Sequence, residues 1–87
     1  MGWQKLTSRS VLRMGLELLH SETGITYVME HVRDGGVVLV SMFDHNGYWI
    51  PNEENTRLWV DLANLESYDL YFDLERTPRV QVTYGGK

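Results

Sequence analysis

Hydrophobic and polar positions alternate with a period of two along much of this chain, which is the period of a strand with one buried face. YDLYFDLE, residues 68 to 75, does so most cleanly. Tyr68, Leu70, Phe72 and Leu74 share one face; Asp69, Tyr71, Asp73 and Glu75 share the other. RVQVTY, 79 to 84, repeats the pattern beyond a turn around Arg76-Thr77-Pro78. ITYVMEHVR (25–33) and VVLVSMF (37–43) are rich in β-branched and aromatic residues and read as strands. Asp34-Gly35-Gly36 between them predicts a tight hairpin. A second turn is predicted at Asp44-His45-Asn46-Gly47, where Asn-Gly favours type I′ geometry. Tyr48, Trp49 and Ile50 then form a short strand that Pro51 ends.

The remaining segments need arbitration. GLELLH, 15 to 20, fits a strand with Leu16 and Leu18 on one side and Glu17 and Leu19 on the other. A helix from Ser10 would also stripe Val11, Leu12, Leu16 and Leu19, but it puts Gly15 mid-helix at a cost of about 1 kcal/mol. The strand is preferred. SETG, 21 to 24, is a turn and NEENT, 52 to 56, a polar loop. Residues 57 to 67 start extended and close in a short helical turn near 61–66, where Leu62 and Leu65 sit three apart. Residues 1–14 form a polar basic lead-in with Lys5, Arg9 and Arg13, from which Trp3 and Leu6 can dock. Five or six short antiparallel strands predict an all-β domain over 15–87, closed into a single small barrel.

Composition narrows the function. Eighty-seven residues make one small domain with a modest core. There is no cysteine, so packing alone holds the fold and thiolate metal sites are excluded. A net charge of −4 makes nucleic acid an unlikely partner and disfavours an anionic membrane. No apolar run reaches the roughly 18 residues of a span. The first ten residues lack a signal-peptide core, and Leu6 stands where a myristoylation motif wants Ser or Thr. These features lead us to expect a cytoplasmic protein.

The stretch TGITYVMEHVRDGGVVLVSMFDHNGYWIP and the later VDLANL resemble the hairpin core of SH3-like barrels of the Tudor or KOW kind. Val40, Phe43, Asp44, Val60, Leu62 and Leu65 match the rhythm of a strand, an aspartate-led tip and a leucine-spaced helical turn. The resemblance runs from about residue 15 to 75 and implies the barrel fold. It departs from the Tudor pattern at the tip: His45 replaces a cage tyrosine and Asn46-Gly47 inverts the glycine-asparagine order. Methyl-lysine or methyl-arginine binding is therefore not carried over, since a cage needs several converging aromatic faces.

Catalysis finds no foothold in the pattern. Asp44-His45 lies in a turn, where Asp more often accepts its own backbone amides than orients an imidazole. Glu30-His31 and His20 with Glu22 are scattered over separate hairpins, without HxH or HExxH spacing. There is no GxSxG. Gly35-Gly36 opens onto a strand and lacks a nearby Lys, so it is a turn and not a phosphate cradle. No enzyme, metal or cofactor is expected.

Charge is more suggestive. Residues 53–75 hold Glu53, Glu54, Asp61, Glu66, Asp69, Asp73 and Glu75 against Arg57 alone. We expect a binding module that docks a basic protein through Glu53, Glu54, Asp69, Tyr71, Asp73 and Glu75, because Tyr is favoured at hot spots and carboxylates steer a cation-rich partner. An adaptor fits, as does an inhibitor that occupies the basic surface of a nucleic-acid-handling protein, by analogy with small phage inhibitors. The competing explanation is that the like charges only keep an edge strand from aggregating, with the basic lead-in neutralising part of the patch. Two further readings remain. A nucleotide-like ligand could stack on Tyr48 or Trp49 with Arg57 or Arg33 on its phosphates, in a site shared by an oligomer. A weak nucleic-acid contact could use Lys5, Arg9 and Arg13.

Overall fold

A computed structural model describes residues 2–10 and 12–73. The protein is all-β. Among the described residues there are six strands, β1 (Gln4–Lys5), β2 (Glu17–His20), β3 (Thr26–Arg33), β4 (Gly36–Phe43), β5 (Arg57–Asp61) and β6 (Leu70–Phe72). They form one antiparallel sheet in the order β1-β6-β2-β3-β4-β5. The last four are a meander, each joined to the next in sequence. A 3-10 helix, Leu62–Tyr68, then carries the chain from β5 across to β6 beside β2. Among the described residues no ladder joins β1 to β5, so the sheet stands open where a closed barrel was expected.

Alternation explains most of the packing. Leu16 and Leu18, Met29, Val37 and Leu39, Val60, Leu70 and Phe72 point to one face and form the core. Residues 17–20 are strand, which resolves the ambiguity at Gly15. Leu6, fully buried, joins the core from the basic N-terminal segment, whose Gln4 and Lys5 pair with Phe72 and Tyr71. Leu65 is fully buried as well and plugs the core from the 3-10 helix. Tyr68, expected to open the strand 68–75, sits at the end of that helix and packs against the core.

Two bulges set the faces of the long hairpin. Met29 pairs with Leu39 and His31 with Val38, leaving Glu30 as the extra residue; Thr26 pairs with Phe43 and Tyr27 with Ser41, leaving Met42. A bulge bends its strand and resets the period of two. Met29 is therefore inside while His31, two residues on, is outside with Val38 and Trp59.

The predicted strand at 48–50 reduces to one bridge, Phe43 to Trp49. The turn before it is not type I′ either. Gly47 has a φ of 84°, but Asn46 keeps a negative φ. The Asp44 carboxylate accepts the amides of Asn46 and Tyr48, both at 2.9 Å, and the Gly47 amide bonds to the Asp44 carbonyl. This is a type I turn followed by a left-handed glycine, the usual three-residue hairpin loop. The expected strand 79–84, with Leu74 and Glu75, lies outside the described residues.

Candidate binding surface

Leu70 and Phe72 turn inward, which sends Asp69, Tyr71 and Asp73 outward, as the alternation predicts. Their setting differs from the expectation. β6 lies between β1 and β2, so these residues do not guard a sheet edge. Glu53 and Glu54 are exposed in the loop that leads into β5, and β2, β3 and β4 separate β5 from β6 in the sheet. The acidic run is thus continuous in sequence and divided in space.

Asp69 has a structural duty. It ends the 3-10 helix in the left-handed region (φ 53°, ψ 48°), a conformation that Asp tolerates better than most residues. Its carboxylate meets Lys5 Nζ at 3.1 Å. The bond to Asp69 raises the Lys5 pKa, with a smaller opposing effect from desolvation. The basic N-terminal segment therefore neutralises one corner of the acidic face, through an exposed pair that stabilises little.

Register brings together residues that lie far apart in sequence. Lys5 pairs with Tyr71, Tyr71 with Leu19, Leu19 with Thr26, Thr26 with Phe43, and Phe43 with Trp49. Paired residues of antiparallel strands share a face. These six side chains therefore form one row on the outer face, spanning roughly 24 Å at about 4.8 Å per strand. Thr26 and Phe43 are buried at its centre, Tyr71 and Leu19 are half-buried, and Trp49 is 53 % exposed. Phe43 and Trp49 meet edge to face with centroids 5.5 Å apart. Tyr48, 71 % exposed, stands at the same end. Continuing the β2–β6 register by two residues sets Glu17 opposite Asp73, beside Tyr71. Leu19 and Glu17 are the members that reading charge along the chain missed. Their signal was the outward half of the GLELLH alternation, which acquires meaning only once β6 is known to lie beside β2.

The other predicted groups are occupied or apart. Arg57 donates from Nε and Nη2 to the two carboxylate oxygens of Glu30, at 2.9 and 3.0 Å. Arg57 extends from β5 and is not brought into the row with Trp49. The hydrogen bond from Arg57 holds the Glu30 carboxyl below the usual range, with partial desolvation opposing it. A depressed carboxyl pKa stabilises the fold above the unfolded value and loses that effect as pH falls through the folded value. Glu30→Gln is accordingly expected to lower the melting temperature slightly at neutral pH. The gap to the unsubstituted protein should close in acid, and thermal melts from pH 7 down to pH 3 check it.

Asp44 spends its carboxylate on the turn, and His45 beside it is exposed. Among the described residues no three His, Asp or Glu side chains cluster as a metal site would require. Among the same residues no helix is long and apolar enough to cross a membrane. In the comparison with known proteins, no protein family, no curated protein and no solved structure matches this chain.

Proposed function

We propose that this protein is a non-catalytic binding module whose outer sheet face docks a basic protein. The observation that supports this reading is the cross-strand row: Tyr71 and Leu19 half-buried, Trp49 exposed at one end, and Glu17 and Asp73 alongside. An aromatic and aliphatic strip flanked by carboxylates combines hot-spot residues with a field that steers cations. An adaptor or an inhibitor of a nucleic-acid-handling protein both fit a surface of this chemistry. In this reading the fold is SH3-like with an open seam between β1 and β5 among the described residues. The 3-10 helix returns the chain so that β6 pairs with β2, the connection by which a meander begins to close on itself.

The small-ligand alternative is weakened by the commitment of Arg57 to Glu30. The nucleic-acid alternative is weakened by the use of Lys5 on Asp69. The test is affinity capture of the tagged chain from lysate at low and high salt. A basic protein should be retained at low salt and released at high salt. Tyr71→Ala or Asp73→Asn should reduce its recovery roughly tenfold, whereas Glu53→Gln should not. Equal recovery with all three variants would refute the proposed face.

A further inference from the structure

Among the described residues the sheet has two edges, and they are built differently. β1 is two residues long and carries Lys5, which blunts it in the usual way. β5 is five residues, Arg57-Leu58-Trp59-Val60-Asp61, paired with β4 without a bulge and free of proline and lysine. Among the described residues nothing pairs with its outer side. The hydrogen-bond phase of β4 and β5 follows from two flanking bonds, Ser41 amide to Thr56 carbonyl and Leu62 amide to Gly35 carbonyl, each 3.0 Å. Antiparallel pairs alternate between bonded and non-bonded. Leu58 and Val60 therefore direct their amides and carbonyls at β4, while those of Arg57, Trp59 and Asp61 point away from the sheet.

We propose that β5 is a self-pairing edge: a second copy of this chain adds its own β5 antiparallel to the first, centred on Trp59, so that Arg57 of each copy faces Asp61 of the other. The sequence RLWVD is self-complementary about its centre, cation at one end and anion at the other. A two-fold axis through Trp59 satisfies both charge pairs at once, as an isologous interface requires. Each outward residue donates one amide and accepts at one carbonyl across the axis. A shift of register by two residues loses both charge pairs and hydrogen bonds together.

The side chains leave room for this. A Cβ built on Gly36 would stand 2.4 Å from Trp59 Cζ2, so the indole lies back over β4. Its Nε1 donates to Asp61 Oδ1 at 3.0 Å, which fixes it there and leaves Oδ2 for the second copy. Arg57 bonds Glu30 through Nε and Nη2, leaving Nη1 to reach across. Trp59 is 47 % exposed, and with its indole laid back over β4 it leaves the axis clear for the two backbones to pair. An extended peptide from another protein would use the same edge but has no reason to match this palindrome.

The experiment is sedimentation of the full chain across a wide concentration range, with R57E and D61K, singly and mixed. The unsubstituted chain dimerises. Each variant alone sets like charges opposite each other twice and raises the dimer dissociation constant roughly tenfold or more. Mixing the two restores dimers. The introduced glutamate of one variant then faces the introduced lysine of the other, and the native Asp61 of the first faces the native Arg57 of the second. Asp61 is exposed and makes no side-chain cap to the helix that follows. Among the described residues its carboxylate bonds only the exposed Trp59 indole, so D61K frees that indole and leaves the fold intact, checked by circular dichroism. Should R57E unfold through loss of the Glu30 contact, Trp59→Pro replaces it, since of the backbone hydrogen-bonding groups it removes only an outward amide, with Trp59→Ala as the control for loss of the indole; the proline variant is predicted to be monomeric and the alanine variant to dimerise. A chain that stays monomeric up to millimolar concentration overturns the proposal. So does a dimer unmoved by both variants, or a mixture that fails to restore association.

Discussion

Leu65→Ala is expected to destabilise this protein by about 2–5 kcal/mol, lowering the melting temperature by roughly 8–40 °C. Leu65 is fully buried and is the deepest residue of the 3-10 helix, inserted among core residues that come mostly from the strands. Truncation removes its transfer free energy and leaves a cavity that the surrounding strands cannot fill without breaking their ladders. A domain of this size has of the order of 4–13 kcal/mol in total, so the loss is a large share of it. Leu65→Met keeps the volume and is expected to cost less than about 1.5 kcal/mol. Thermal denaturation of both variants separates the two outcomes. Equal effects would mean that the helix does not plug the core.

Gly36→Ala carries the second largest expected effect. A Cβ there would stand 2.4 and 2.6 Å from Trp59 Cζ2 and Cη2 and 2.7 Å from the Val60 carbonyl oxygen. The indole can swing aside, but the carbonyl belongs to the β4–β5 ladder and cannot move freely. Overpacking of this kind costs about 1–3 kcal/mol. Tryptophan fluorescence should shift as Trp59 leaves its place. Placing Gly36→Ala on a Trp59→Ala background should recover part of the loss and not all of it, since the Val60 contact persists. Full recovery would assign the whole clash to the indole.

Local pattern made the strands legible. Alternation set Leu16 with Leu18, and Leu70 with Phe72, on shared faces, as the fold has them, and the spacing of Leu62 and Leu65 placed the helical turn. What stayed hidden depends on register between distant segments. Nothing local announces that Gln4 and Lys5 pair with β6 or that Leu6 enters the core from a basic segment. The bulges at Glu30 and Met42 invert the faces of the hairpin without marking the sequence. A run of acids reads as one patch until three intervening strands divide Glu53 and Glu54 from Tyr71 and Asp73. Likewise Tyr71 and Trp49 looked like members of two unrelated sites. The ladder places them on one face, with Leu19, Thr26 and Phe43 between them.

That face is the centre of the functional reading, and site-specific photocrosslinking tests it most directly. A benzophenone side chain is placed at Tyr71 in one chain, at Trp49 in a second and at Glu53 in a third. Each is irradiated in lysate at low salt. Docking on the outer face predicts one basic protein crosslinked from positions 71 and 49 and absent from position 53. Crosslinking from position 53 alone, or from none of the three, would contradict it.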